Sequence, residues 1–253
     1  MEHEIVLAPE ILGYFKGLPI TNTLLVSWLV MIVLIVVSLF VKFNIKTVPS
    51  GIQNFFELVI DYSYNLVADL AHAKAKVFFP IVMTFFLFII TANWIGLFPG
   101  VGTITYNHMP LLRSINSDLN MTLGLALLSA FLTHFFAIKY LGIKNYLKKW
   151  FSLEMFGVFL FVGLLELVGE FTKIVSLSFR LFGNIFAGEV VLTTVSTLSQ
   201  FTAFLIPLPF YFLEIIVGFV QAAVFMMLTL VFMVLLSEKH GASPDSIGTE
   251  DAH

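Results

Sequence analysis

The feature that most constrains this chain is a series of apolar stretches about as long as a membrane is thick. Four of them carry at most one charged residue each: Leu24–Val41, Val77–Phe98, Leu119–Leu141 and Phe210–Leu236. A helix needs about 20 residues to cross the ~30 Å hydrocarbon core of a bilayer. The composition agrees, because 59% of the residues are hydrophobic and only 11% are charged, whereas soluble proteins carry about 25% charged residues. The sequence therefore predicts an all-α integral membrane protein.

We expect residues 1–253 to form a single polytopic membrane domain. The domain is predicted to contain about five membrane-embedded helices and one amphipathic interfacial helix, with the last two helices forming a long tilted hairpin. The predicted order is a short polar lead-in at 1–23, a span at 24–41, an interfacial helix at 50–77, spans at 77–98 and 119–141, a long tilted helix at 151–198, a return helix at 207–236 and a polar tail at 237–253.

The interfacial assignment of residues 50–77 depends on two opposing faces. Apolar residues recur there at helical spacing, at Ile52, Phe55, Phe56, Val59, Leu66 and Leu70. Polar residues form the opposite stripe, at Asn54, Glu57, Asp61, Asn65 and Asp69. This pattern is typical of a helix that lies along a membrane surface. A soluble connecting helix is the alternative interpretation.

The lysines predict the orientation of the chain. They cluster after the first span, before the second and at the end of the third, at Lys42, Lys46, Lys74, Lys76, Lys139, Lys144, Lys148 and Lys149. Basic residues concentrate on the cytoplasmic side of membrane proteins. We therefore expect the N-terminus outside and the polar C-terminal tail in the cytoplasm.

Residues 151–198 are unusual because they are largely apolar and yet contain six charged residues. These are Glu154, Glu166, Glu170, Lys173, Arg180 and Glu189. At 1.5 Å per residue, a perpendicular helix of this length would extend well beyond the bilayer. The segment must therefore tilt steeply, bend or lie partly along the membrane.

Arg180 is the residue whose position most needs a functional explanation. Arginine keeps its charge because its pKa stays above ~12, and holding it near the bilayer centre costs roughly 3 kcal/mol on insertion scales. Such a residue needs a water-filled path or a carboxylate partner. Asn184 lies one turn further on and shares its face, whereas Glu189 would lie on the opposite face of a regular helix, ~13 Å along the axis.

Glu214 and Gln221 share one face of the final helix, two turns apart. Carboxylates such as Glu189 and Glu214 gain and lose protons, so they can line an aqueous half-path. Arg180 cannot relay a proton, but at about 4 Å it would stabilise an ionised carboxylate of another chain by ~4 kcal/mol. The alternative is that these charges pair within the chain and merely hold helices together.

Other polar residues have simpler expected roles. Glu166 and Glu170 share a helical face and can support the charged region, and Glu170 with Lys173 is expected to form a structural pair. His134 is expected to be a packed or interhelical residue. Asp118 and Asn120 are expected to cap the helix that starts beside them, and Gly183 and Gly188 suit close approach between helices.

The motifs for other function classes are missing from the sequence. It has no cysteine, no nucleotide-binding P-loop, no G-x-S-x-G and no H-E-x-x-H. We therefore predict no catalytic site, no metal site and no cofactor, and an intramembrane hydrolase has no support. A self-contained anion channel or secondary transporter that uses Arg180 to bind an anion remains an alternative.

Several motifs resemble the membrane-embedded a subunit of F-type ATP synthases. The strongest is S-L-S-F-R-L-F-G-N-I-F-A-G-E, which contains Arg180. Further matches are V-P-S-G-I-Q-N-F-F-E at 48–57, N-W-I-G-L-F-P-G at 93–100, D-L-N-M-T-L-G-L-A-L at 118–127 and Q-A-A-V-F-M-M-L-T at 221–229. The resemblance covers nearly the whole chain, and the arginine motif is highly specific.

The resemblance implies a stator subunit of the F0 sector, of bacterial type. It implies that Arg180 faces the carboxylates of the c-ring between two offset half-channels, that 151–236 curves along the ring, and that Asn184 and Gln221 are the family's amides. The family often has one carboxylate and one histidine at the positions of Glu189 and Glu214, whereas this chain has two carboxylates. The implied partners are the c-ring, the b-subunit peripheral stalk, other F0 and F1 subunits and the bilayer of a bacterial inner membrane, with no nucleic acid. Protons would pass through this chain, and ATP would be made elsewhere.

Overall fold

A computed structural model describes residues 10–46, 51–98, 105–106, 109–110, 113–150, 156–197 and 207–237. These residues form seven α-helices, which are α1 (Asn22–Phe43), α2 (Ile52–Ala71), α3 (Ala75–Gly96), α4 (Leu119–Leu141), α5 (Ile143–Trp150), α6 (Phe156–Thr197) and α7 (Pro207–Ser237). They also form two short antiparallel strand pairs, β1 (Ile11–Phe15) with β2 (Leu18–Thr21) and β3 (Thr105–Tyr106) with β4 (Met109–Pro110). Glu154 and the polar tail lie outside the described residues.

Five helical segments of the described chain are long and apolar enough to cross a membrane. They are Asn22–Phe43, Gln53–Gly96, Leu119–Leu141, Leu164–Val195 and Pro207–Ser237. The second of these contains both α2 and α3. The prediction of an all-α integral membrane protein is confirmed.

The first difference from the sequence prediction lies before α1. The predicted polar lead-in instead contains the β1–β2 hairpin, whose turn residues Lys16 and Gly17 have φ values of 48° and 87°. Two successive residues with positive φ match the right-handed twist of a hairpin, which is why such turns close two-residue loops. Lysine is uncommon at such a position, so the turn had only its glycine as a sequence signal.

The second difference lies in the segment predicted as one interfacial helix over 50–77. It is divided, because α2 ends at Ala71, a single 3₁₀ turn follows at His72–Lys74, and α3 begins at Ala75. His72 has a φ of 46°, in the left-handed region that ends a right-handed helix. α2 nevertheless has one face packed against the bundle and one face exposed, since Val67 is fully buried whereas Leu58 is 67% exposed.

The core of the bundle lies where α3 and α7 meet, with α4 and α6 packed around them. Its largest fully buried side chains include Phe78 and Ile89 of α3 and Phe225, Leu230 and Met233 of α7. α3 contains Pro80 within its second turn. Pro80 is the sixth residue of α3, so it lacks the N–H that would donate to the carbonyl of Lys76 and removes one hydrogen bond of the helix.

The last two helices form an antiparallel hairpin. α6 has 42 residues, so it is about 63 Å long at 1.5 Å per residue, roughly twice the hydrocarbon core. It is continuous through Gly183 and Gly188. Contacts along the hairpin join Lys173 to Phe232 and Asn184 to Gln221, so residue numbers rise on one helix as they fall on the other. A helix of this length cannot cross a bilayer upright.

Hydrogen bonds tie the elements together at opposite ends of the bundle. At one end, the Thr23 hydroxyl near the start of α1 donates to the Asp118 carboxylate at 2.9 Å, and Asp118 accepts from the backbone N–H of Asn120. The predicted capping role of Asp118 is therefore confirmed. At the other end, Lys74 Nζ donates to the backbone oxygen of Ser237 at 3.0 Å and lies 5.0 Å from the centre of the Tyr140 ring.

Lys74 is positioned to stabilise the C-terminus of α7. The last carbonyl groups of a helix lack intrahelical partners and carry partial negative charge, which a cation stabilises. We expect Lys74→Met to lower the thermal midpoint of the assembled complex in detergent. The expected loss in the free energy of unfolding is about 1–2 kcal/mol. Lys76→Met is the matched control, because Lys76 is exposed two residues away. Equal midpoints for the two variants would contradict this role.

Candidate functional site

Arg180 lies on an exposed face of α6, near the middle of the hairpin. Its Nη2 atom makes one long hydrogen bond, 3.5 Å to the Ser176 hydroxyl one turn earlier. The two ion pairs within 4.0 Å that join described residues connect Glu170 to Lys173 and to His134, and neither involves Arg180. The guanidinium group is therefore directed away from the described carboxylates of its own chain.

A groove of about 400 Å³ runs between α6 and α7 from Arg180 toward the start of α6. Its polar lining comes from Thr172, Lys173, Ser176 and Arg180, and its apolar lining includes Phe232. The groove is open to the outside of the bundle, so water or a partner chain can reach both cations. It lies on the side of Arg180 that leads to the lysine-rich end of the bundle.

Asn184 and Gln221 join α6 to α7 just beyond Arg180. The Asn184 side-chain amide donates to Gln221 Oε1 at 2.8 Å. Gln221 is only 3% exposed, and its own Nε2 atom is buried with no hydrogen-bond partner among the described residues. The sequence allowed Asn184 either to support the arginine or to make a helix contact, and the structure shows the helix contact.

Glu189 and Glu214 lie at the same level of the hairpin, one turn beyond Asn184. Glu214 is 4% exposed and lies over Gly188, where an added Cβ atom would overlap its carboxylate. Glu189 is the next residue of α6 after this glycine. Glu214 Oε1 and Glu189 Oε2 are both buried without a hydrogen-bond partner in the described chain. α6 therefore presents Arg180 outward and Glu189 toward α7.

Glu166, Glu170 and Lys173, the residues predicted to support the charged region, lie nearer the start of α6 than Arg180. Lys173 Nζ donates to Glu170 Oε1 at 2.6 Å, which confirms the predicted pair. His134 of α4 lies 3.8 Å from Glu170 and 2.9 Å from the hydroxyl of Tyr146 on α5. His134 is therefore an interhelical residue, as expected. Glu166 is half-buried, and no hydrogen bond or ion pair is described for it.

The sequence analysis missed a buried polar network at the opposite end of the bundle. Asn93 of α3 donates to the backbone oxygen of Gly218 on α7 at 3.0 Å and accepts from Asn116 at 2.6 Å. Asn116 belongs to a 3₁₀ turn, Ile115–Ser117, that folds into the bundle and is buried. The signal was present in the sequence as Asn93, Asn116 and Asp118 close to span ends, where an asparagine or aspartate usually indicates only a cap or a turn.

Comparison with known proteins identifies the family of this chain. The model of the ATP synthase A chain family matches residues 24–234. The chain is 34% identical over 218 residues to ATP synthase subunit a of Trichlorobacter lovleyi, covering 84% of this chain and 85% of that protein. The chain belongs to the F-type ATP synthase subunit a family.

Two further relatives have similar coverage. ATP synthase subunit a of Geobacter sulfurreducens is 35% identical over 213 residues, which is 82% of this chain and 83% of that protein. The protein named ATP synthase subunit a, sodium ion specific, of Propionigenium modestum is 34% identical over 238 residues, which is 91% of this chain and 79% of that protein. All the motif residues discussed above lie within the matched range 24–234.

Family membership confirms the resemblance found in the sequence. As a subunit a, the chain is a multi-pass membrane component of an ATP synthase and takes part in ion translocation by the F0 sector. The fold agrees, because five helical segments are long enough to span and the polar residues of the hairpin are concentrated on two sides of Arg180.

Proposed function

We propose that this chain passes protons between the two sides of the membrane by way of the carboxylates of a rotating c-ring, with Arg180 facing the ring. The observation that carries the proposal is the exposed guanidinium group of Arg180, for which the described part of the chain supplies no carboxylate within 4.0 Å. A permanent charge inside an apolar helix is expensive. Its partner therefore comes from another chain of the complex.

Two polar regions on opposite sides of Arg180 support two offset half-channels. Toward the lysine-rich end, the groove lined by Thr172, Lys173 and Ser176 opens beside Arg180. Toward the other end, Glu189 and Glu214 are followed by the Asn93 network. Between these regions α6 and α7 are joined by apolar side chains and by the bond from Asn184 to Gln221. A proton would have to transfer to the ring to pass from one region to the other.

The proton is the proposed ion because Glu189 and Glu214 are groups that exchange protons. One relative is named as sodium ion specific, so the ion is tested directly by ATP-driven pumping in buffers with and without Na⁺. Each charge that crosses releases ~2.3 kcal/mol per 100 mV of membrane potential. That energy turns the rotor, and other subunits of the complex make ATP, since this chain is proposed to hold no catalytic site of its own.

The proposed orientation has the β1–β2 hairpin outside and the end of α7 in the cytoplasm of a bacterial inner membrane. It rests on the lysines that gather at the α7 C-terminal end of the bundle, including Lys42, Lys74, Lys76 and Lys139. The chain would act as one polytopic unit, with α2 along the interface and the b-subunit peripheral stalk among its partners.

A reconstitution experiment separates this proposal from a self-contained anion channel or secondary transporter. Vesicles that contain this chain alone should show no proton or anion flux, whereas vesicles with the complete complex should acidify when ATP is added. Restored pumping after adding the other subunits to the same preparation is the control for correct folding. Anion flux through the chain alone would favour the transporter.

A further inference from the structure

We propose that Glu189 and Glu214 form a single acid pair that holds one proton between two carboxyl groups. The inference rests on the proposed proton path and deepens it. The two carboxyl groups would act as one proton-binding site on that path instead of two separate sites. Such a pair requires a carboxylate at both positions, and this chain has one at each.

The first support is the close packing around Gly188. A side chain at residue 188 would occupy the space that the Glu214 carboxylate fills, so α7 can bring this group against the backbone of α6 only because residue 188 is glycine. The adjacent residue, Glu189, contributes the second carboxylate from the same turn of α6. The two acidic residues therefore lie at the same level of the hairpin, with Glu214 over Gly188 and Glu189 next to that glycine.

The second support is the unpartnered oxygen on each group. Glu214 Oε1 and Glu189 Oε2 are buried, and no donor among the described residues reaches either atom. Buried carboxylates without a donor are costly, and two ionised carboxylates side by side repel each other strongly. One proton between them removes one charge and supplies the missing O–H donor, as in other carboxyl pairs that share a proton.

The described residues of α6 and α7 offer no cation at the level of the pair. From α6, Arg180 is nine residues away and on the other side, about 13 Å along the axis. From α7, the nearest titratable group is Tyr211, and from α3 the neighbouring polar residues are Asn93 and Trp94, which bond to the Gly218 and Ile215 oxygens. The connecting residues 198–206 contain no charged residue.

Each transfer through the pair adds one proton and releases one proton. The pair rests with one carboxyl group protonated and the other ionised. A proton arriving from the outer side binds the ionised group, and the first proton leaves toward Gln221 and the ring. The net charge of the pair is the same before and after each transfer, so no buried group is left with an uncompensated extra charge.

The test uses ATP-driven proton pumping by the complete complex in vesicles, with variants Glu189→Gln, Glu214→Gln and the double variant. A glutamine amide can replace the neutral, hydrogen-bond-donating member of the pair, and the remaining carboxylate can still carry the proton. We expect each single variant to pump within about tenfold of the wild type, because one hydrogen bond to a charged group is altered, and the double variant not to pump. Glu57→Gln on the exposed face of α2 is the matched control for expression and assembly.

The possible outcomes separate the pair from the path. Complete loss in either single variant, with the complex assembled, would mean two separately indispensable sites, and it would overturn the pair while leaving the proposed function intact. Pumping that persists in the double variant would overturn both, because the path would then need neither residue. Partial activity in both single variants with none in the double variant supports the shared proton.

Discussion

Replacing Arg180 with alanine is expected to abolish ATP-driven proton pumping while the complex still assembles. At about 4 Å and an effective dielectric near 20, the guanidinium group would stabilise an ionised carboxylate of the ring by ~4 kcal/mol, about a thousandfold in the equilibrium constant. Without it, a ring carboxylate arriving beside α6 would keep its proton. In the proposed mechanism this fixed positive charge also prevents direct leakage between two half-channels, and the substitution would remove it.

Arg180→Lys should fail as well, because lysine lacks the planar guanidinium group and can lose its charge when buried. The measurement is acidification of vesicles on ATP addition, with assembly checked by the subunit composition of the purified complex. Lys76→Met is the control, since it removes another positive charge of this chain at an exposed position of α3. Normal pumping by Arg180→Ala would return this residue to a purely structural role.

Gly188→Ala is expected to reduce proton pumping by roughly ten- to a hundredfold. The added methyl group would occupy the position of the Glu214 carboxylate, which is the end of a flexible side chain and would move to another position. The fold should therefore survive, whereas Glu214 would move away from Glu189 and the proposed acid pair would be separated. Displacements of about 1 Å in a reacting group can lower a rate a hundredfold.

Vesicle pumping and the thermal midpoint of the complex should be measured together for Gly188→Ala. Gly124→Ala on α4 is the matched control, because an added Cβ there meets no atom of the described chain within 4 Å. We expect Gly124→Ala to pump normally. A Gly188→Ala complex that pumps at the wild-type rate would show that the position of Glu214 over this glycine is not needed for transport.

The protein class and the candidate site residues could be derived from local features of the sequence. Each span is visible because apolar length is a property of consecutive residues, and a bilayer has a fixed thickness. Arg180 was identifiable because a permanent charge in an apolar segment has few stable environments. Glu170 and Lys173 were predictable as a pair because residues three apart on one helix are always neighbours.

Other features depend on packing between distant segments. The hydrogen bond between Asn184 and Gln221 joins residues 37 positions apart, and no helical periodicity connects them. The burial of the turn around Asn116 likewise depends on Asn93 of another helix. Even the division of the predicted helix over 50–77 rests on the positive φ of His72, a residue type with no strong preference for ending a helix.

The sequence by itself determined that this chain is a membrane protein of long helices, and that one of these helices carries an arginine that needs a polar environment. Both conclusions follow from the free energy of placing side chains in lipid. Only the tertiary structure decided which faces meet. The antiparallel register of α6 and α7 brings Glu214 over Gly188, and it leaves Arg180 outside the contact. That register is set by the fit of side chains from two helices against each other, which neither helix specifies alone.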